Sequence, residues 1–257
     1  MDLLVDIGNS ALKYLSAEAL FAGEAPVCHA YVDAGLEAVL ARQWAALPPP
    51  TRVTVACVAR EAGEILRQWC ERHWGVSPHF LKTGMDEAGV TNGYTEPAQL
   101  GIDRWAALVG AHSLGPANYC IVDAGTAVTV DFLDARGHHH GGLILPGARL
   151  MHAAVAGQVD ALAGDVVPPP TSMADGAFPG RDTHACLAAG CRTAMVGFVR
   201  EALVRAQALF EGPPRCLLCG GDAAELLAAL AAAGTAARHR PELVLRGVAR
   251  LAGLAVA

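Results

Sequence analysis

The chain has 257 residues, enough for one large domain or two small ones, and its longest apolar run, Leu226 to Ala233, falls short of the roughly 18 residues that a membrane helix needs. A net charge of −6 with dispersed Lys and Arg gives no footprint for nucleic acid, and the acidic opening Met-Asp-Leu-Leu-Val-Asp lacks the basic segment of an export signal, so a cytoplasmic protein is expected. The eight cysteines stand singly in apolar segments, around Cys57, Cys120 and Cys186 for example, and are read as reduced, mostly buried thiols.

Leu3, Leu4 and Val5, then Leu12 to Leu15, flank Asp6-Ile7-Gly8-Asn9-Ser10 and predict strand, tight polar turn, strand. A helix is expected over Leu36 to Leu47, stopped by Pro48 to Pro50, then a strand over Arg52 to Val58. Glu61 to Trp74 is again helical, with Ile65, Leu66 and Trp69 at helical spacing. Thr91-Asn92-Gly93-Tyr94 and Gly101 precede a helix-like Arg104 to Ala111. From Tyr119 the pattern starts again: strand to Val122, the loop Asp123-Ala124-Gly125-Thr126-Ala127, strand Val128 to Leu133, a turn at Arg136-Gly137 and strand Gly142 to Leu145. A long helix over Ala185 to Phe210, a strand Cys216 to Cys219 ending in Gly220-Gly221-Asp222, and an Ala/Leu-rich helix complete the pass. Alternating strands and helices, with the opening motif repeated, predict an α/β protein of two lobes, residues 1–113 and 114–257.

Aligning LLVDIGNSALKYL with CIVDAGTAVTVDF gives an apolar strand, Asp, any residue, Gly, a small polar tip and a second strand, twice. One such turn is an ordinary hairpin. Two in matching positions favour a phosphate clamp, because Gly and small hydroxyl residues let backbone N–H groups converge on an anion. The Asp would be repelled by phosphate, so its natural role is to hold Mg²⁺, a monovalent cation or a water beside it. Lys13 is expected to reach the phosphate tail and neutralise it. Neither G-x-x-x-x-G-K-[S/T] nor a G-x-G-x-x-G after a strand occurs, which removes the main support for P-loop and Rossmann readings.

The chain resembles the type III pantothenate kinases, or Bvg accessory factor family, of the acetate and sugar kinase, Hsp70 and actin superfamily. Asp6-Ile-Gly-Asn-Ser-x-x-Lys13 is similar to the family's first phosphate motif, and Gly101-Ile102-Asp103-Arg104 to its pantothenate motif. Asp123-x-Gly-Thr-Ala-x-Thr129 is similar to its second phosphate motif, Gly141-Gly142-x-Ile-x-Pro146-Gly147 to the turn that follows, and Gly220-Gly221-Asp222 to its adenosine-side motif. The resemblance implies two duplicated RNase H-like, actin-like ATPase lobes with a mixed sheet in each and the active site between them. It implies phosphorylation of pantothenate to 4'-phosphopantothenate by ATP, the first step of coenzyme A synthesis, with Mg²⁺, a monovalent cation (K⁺ or NH₄⁺) and a homodimer. It further implies Asp103 as catalytic base, Tyr94, Gly101, Ile102, Arg104 and Thr183 as pantothenate contacts, and Asp123 as monovalent-cation ligand. Asp6 to Ser10, Lys13, Thr126, Gly220 and Gly221 would contact ATP, and Asp6 would also hold Mg²⁺.

Phosphoryl transfer asks mainly for positioning and charge neutralisation, and one carboxylate beside the attacking hydroxyl suffices as proton acceptor. Asp103, beside flexible Gly101, suits that task; an Asp at a helix start also suits N-capping. Arg104 suits either a substrate carboxylate or a surface ion pair. Tyr94 can equally be a half-buried aromatic, and Thr183 a helix cap. A superfamily phosphatase would share the twin loops, and a non-catalytic accessory protein the fold; the Gly101 to Arg104 motif argues against the first, and retention of Asp6, Lys13 and Asp103 against the second.

Other features are expected to be structural. Cys216 and Cys219, three apart on a strand, point to opposite faces and cannot share a metal. His138-His139-His140 is read as a solvated turn. Ala223 to Ala237 lacks the basic face of a membrane-surface helix and is read as packed or dimer-forming. Val166-Val167 stands before Pro168 to Pro170 where the family pattern would have Leu-Pro.

Overall fold

The computed structural model describes residues 1–158 and 178–255, and Val166 to Pro170 lie outside them. The chain forms two compact units. The first takes Met1–Pro116, Ala135–His139 and the C-terminal residues from Pro241; the second takes Ala117–Asp134 and the described residues from His140 to Arg240.

The first unit is built on β1 (Asp2–Ile7), β2 (Ala11–Ser16), β3 (Val27–Ala30), β4 (Arg52–Cys57) and β5 (His79–Phe80), in the order β3-β2-β1-β4-β5. β2 runs antiparallel to β1 and β3, and β4 runs parallel to β1 and β5. β1 is central and buried over Leu3 to Ile7, which is why it reads as a continuous apolar run rather than an alternation. Helices α1 (Ala17–Phe21), α2 (Leu36–Gln43) and α3 (Arg60–Trp74) follow the strands, and α3 stops where Gly75 takes the left-handed conformation at φ 66°. Leu3, Val5, Ile7 and Leu12 pack with Trp44, Trp69 and Leu66 in one apolar core. Burial pushes the Cys70 thiol in that core up to about 12.

A short hairpin, β6 (Asp86–Glu87) with β7 (Val90–Thr91), leads to α4 (Ile102–His112). The second unit repeats the sheet with β8 (Tyr119–Ala124), β9 (Ala127–Leu133), β10 (His139–Pro146), β11 (Arg215–Cys219) and β12 (Arg238–His239), ordered β10-β9-β8-β11-β12. In both units the strands stand third, second, first, fourth, fifth, with an antiparallel opening hairpin and parallel pairing beyond the first strand. The repeated motif is therefore a repeated mixed sheet. Helices α5 (Ala148–Ala156), α6 (Thr183–Ala206) and α7 (Ala223–Ala232) belong to this unit, whose core gathers Val122, Val130, Met195, Leu218 and Leu226.

The last helix, α8 (Leu243–Leu251), belongs to the first unit and crosses α4 at close range. A Cβ on Gly110 would overlap the Leu243 carbonyl, and one on Gly247 would overlap that of Ala106. Bare glycine surfaces let the two backbones meet and fix α4, which carries Asp103 and Arg104. No helix among the described residues is long and apolar enough to cross a membrane.

Several expectations change. His139 is no solvated turn residue: it opens β10 and is 3% exposed, while His138 and His140 are exposed. All eight cysteines are free and five are buried, but Cys186 is exposed on α6. The Ala/Leu-rich helix ends at Ala232, because Gly234 turns the chain at φ 73° into β12.

Candidate active site

The first hairpin places Asp6 at the end of β1 directly opposite Lys13 on β2, so their side chains share one face of the sheet. Lys13 Nζ lies 3.5 Å from Asp6 Oδ2, and Asp6 is only 5% exposed. A buried carboxylate beside an ammonium group forms a neutral pair whose cation stands next to the turn. The turn closes through the Gly8 N–H, which donates to the Ala11 carbonyl at 3.1 Å, leaving Asn9 exposed at the tip and Ser10 half-buried. Ile7 is buried in the core and its carbonyl accepts from Val58 N–H at 3.1 Å, so it reaches the site only through its main chain.

The acceptor-side residues of the sequence lie at the start of α4. Its N-cap is Gly101, not Asp103; Asp103 stands inside the first turn, with Oδ1 accepting from the Arg104 N–H at 2.7 Å. Asp103 is thus not the N-cap residue, yet its carboxylate satisfies one of the first N–H groups of α4, and it sits where the N-terminal amides stabilise negative charge. A Cβ on Gly101 would come within 2.6 Å of Asp103 Oδ1, so glycine lets the carboxylate hold this position, and Val58 Cγ1 lies 3.9 Å from the same point. Val58 follows β4, so this turn lies at the carboxyl ends of β1 and β4, where open α/β sheets bind ligands. Ile102 is buried and, like Ile7, offers only its main chain.

Arg104 is 7% exposed, which excludes a surface ion pair. Its Nη1 donates to the Tyr94 hydroxyl at 2.7 Å, and its guanidinium carbon lies 5.5 Å from the Tyr94 ring centroid. Tyr94 stacks in turn on His139, centroids 5.7 Å apart and planes inclined 17°. Asn92 holds the loop: its Oδ1 accepts from the Tyr94 N–H at 3.0 Å, and its Nδ2 donates to Gly84 and Pro97 carbonyls at 3.1 and 3.3 Å. Asn92 and His139 were not legible as site residues. A buried Asn in an Asn-Gly turn was the available signal for the first; the second was hidden in a polar histidine run.

In the second unit Asp123 on β8 faces Thr129 on β9, the register position that Lys13 fills in the first. Here the Gly125 N–H donates to the Ala127 carbonyl at 3.0 Å, one residue tighter than the first turn. The Thr126 carbonyl accepts from the Gly147 N–H at 2.9 Å. Gly220, at φ 98°, lies against the same loop: a Cβ there would collide with the Asp123 carboxylate and the Ala124 carbonyl. Gly221 is exposed with open space around it. The Asp222 N–H donates to the Ala124 carbonyl at 2.9 Å, and burial raises the Asp222 carboxyl, with Arg149 opposing and Glu225 and Asp123 reinforcing the shift. Thr183 is exposed as the first residue of α6; the helix cap is Asp182, whose Oδ1 accepts from the Ala185 N–H at 2.8 Å.

The donor sets fit hard cations. The Asp123 carboxylate and the Ala124 carbonyl lie together against Gly220, and Asp123 adds to the upward shift of the Asp222 carboxyl, so a monovalent or divalent cation would find oxygen donors and negative charge there. Asp6 offers one buried carboxylate, suited to Mg²⁺ held mainly by phosphate oxygens and water.

The sequence matches the family model described as type III pantothenate kinase over residues 2–205. The chain belongs to the type III pantothenate kinase family. Kinases of this family use ATP and a divalent metal. A curated relative of that name from Halorhodospira halophila (strain DSM 244 / SL1) is 41% identical over 258 residues, covering 96% of each chain. Among solved structures, one named as a Baf family transcriptional activator from Campylobacter jejuni superposes with a TM-score of 0.56 at 19% identity, over 98% of this chain and 97% of the other. One named as a 2-dehydro-3-deoxygalactonokinase from Sinorhizobium meliloti gives 0.50 at 15% identity, over 98% of both chains. These likenesses bear out the two-lobed actin-like fold of a type III pantothenate kinase.

Proposed function

We propose that this chain transfers the γ-phosphoryl group of ATP to the hydroxyl of pantothenate, giving 4'-phosphopantothenate and ADP, the first step of coenzyme A synthesis, in the cytoplasm. Asp103 accepts the hydroxyl proton as the acceptor oxygen attacks the γ-phosphorus and the bond to the β-phosphate oxygen breaks. Arg104, braced by Tyr94, pairs with the pantothenate carboxylate, and Gly101, Ile102 and Thr183 complete the acceptor contacts. Lys13 and the Asp6 to Ser10 turn neutralise and hold phosphate, with Mg²⁺ beside Asp6. Thr126, Gly220 and Gly221 contact the nucleotide, and Asp123 holds K⁺ or NH₄⁺. The working form is a homodimer.

The observation that carries this reading is the turn at the start of α4. It joins a carboxylate in the first turn of a helix, a buried guanidinium bonded to a tyrosine, and the carboxyl ends of two parallel strands. Positioned carboxylate bases contribute about 10²–10⁴-fold, which such a turn can supply without a second acid. The test is ADP release by purified protein at saturating ATP and Mg²⁺ in ammonium buffer. Release that depends on added pantothenate is expected; absence of any pantothenate-dependent release would refute the assignment.

A further inference from the structure

Each sheet pins its hairpin loop from the residue that follows its third strand. In the second unit that residue is Gly147, after β10, whose N–H reaches the Thr126 carbonyl at 2.9 Å. In the first it is Tyr31, after β3, whose N–H reaches the Ser10 carbonyl at 3.1 Å. The pin is thus part of the duplicated design. Tyr31 adds what a glycine cannot: its phenol hydroxyl donates to the Gly8 carbonyl.

That second bond bears on the loop's chemistry. A peptide unit is planar and trans, so its C=O and N–H point in opposite directions. Turning the Gly8 carbonyl toward Tyr31 therefore turns the Asn9 N–H away from it, at the exposed tip of the loop. With the Gly8 N–H and the Ser10 carbonyl also engaged, hydrogen bonds orient the Ile7–Gly8, Gly8–Asn9 and Ser10–Ala11 peptides around the tip. Preorganised N–H groups of this kind bind anions without paying for reorganisation at the moment of binding. We propose that Tyr31 is the positioning residue of the first loop, aiming the Asn9 N–H at a phosphate oxygen of the bound nucleotide; this rests on the phosphate-binding role proposed above for Asp6 to Ser10. Burial, then Cys57 and Asp6 nearby, raise the Tyr31 phenol, so it remains a donor throughout the neutral range.

The ring of Tyr31 also packs against the first core, and its carbonyl accepts from the Gly35 N–H at 2.8 Å. Tyr31→Phe keeps the ring and the main-chain bonds and deletes only the hydroxyl. Calorimetric titration of the full chain with ATP and Mg²⁺ is expected to show about five- to tenfold weaker nucleotide binding in Tyr31→Phe, the worth of one hydrogen bond. Pantothenate affinity and thermal midpoint should stay as in the wild type, and the Asn9 amide should exchange hydrogen faster. Lys13→Ala, titrated in parallel, reports on the reading beneath. If Lys13→Ala weakens ATP binding and Tyr31→Phe does not, the inference is overturned and the phosphate loop stands. If neither weakens it, the phosphate reading of the loop fails and the inference falls with it. If Tyr31→Phe weakens ATP and pantothenate alike and lowers the thermal midpoint, Tyr31 only supports the fold.

Discussion

The two hairpins have one backbone plan and opposite electrostatics. The first sets Lys13 against Asp6 across the strands and so carries its own counter-charge. The second sets Thr129 against Asp123 and adds Asp222 close by, where Arg149 opposes the upward shift of that carboxyl. The two loops share a plan and differ at one register position, which holds a lysine in the first and a threonine in the second. On the function proposed above, the first loop neutralises phosphate directly and the second recruits K⁺ or NH₄⁺.

Asp103 lies outside both loops and sets the scale for them. Asp103→Asn should lower kcat by about 10³-fold or more while the Kd for pantothenate, by calorimetry, stays within about threefold. The loops are separated by Lys13→Ala and Thr129→Ala. The first should raise the KM for ATP by about ten- to a hundredfold, and the second by less than about threefold, in steady-state kinetics; equal effects would erase the distinction. Backbone demands differ as well. Gly220→Ala should cost roughly 1–3 kcal/mol in denaturant unfolding, since it forces a Cβ at φ 98° into Asp123 and Ala124. Gly8→Ala should cost less than about 0.5 kcal/mol, because its Cβ would meet only the Ala11 carbonyl at 3.8 Å. Smallest of all, exchanging Na⁺ for K⁺ should raise the thermal midpoint by about 2–4 °C in the wild type and not in Asp123→Asn.

Much of this was legible because strand and turn chemistry is local. The repeated Asp-x-Gly between apolar runs predicted both hairpins and, through them, the duplicated mixed sheets. The Gly101 to Arg104 run gave the start of α4 within two residues. What stayed hidden depends on tertiary contact. β3, with Val27 and Cys28 exposed, carries no apolar signature and is a strand because β2 pairs with it. α8 is short, with Arg246 and Arg250 breaking its apolar run, and its glycine-to-backbone crossing with α4 cannot be read from local pattern. Tyr31 and His139 act through contacts to residues 23 and 45 positions away, which no spacing rule announces, and Asn92 through its bonds to nearby Gly84, Tyr94 and Pro97.

A crystal of the protein soaked with pantothenate and a non-hydrolysable ATP analogue tests the central claim most directly. The account predicts the pantothenate carboxylate on Arg104 beside Tyr94, and its hydroxyl within hydrogen-bond reach of Asp103 and facing the γ-phosphate. Pantothenate bound with its hydroxyl away from Asp103, or its carboxylate away from Arg104, would contradict it.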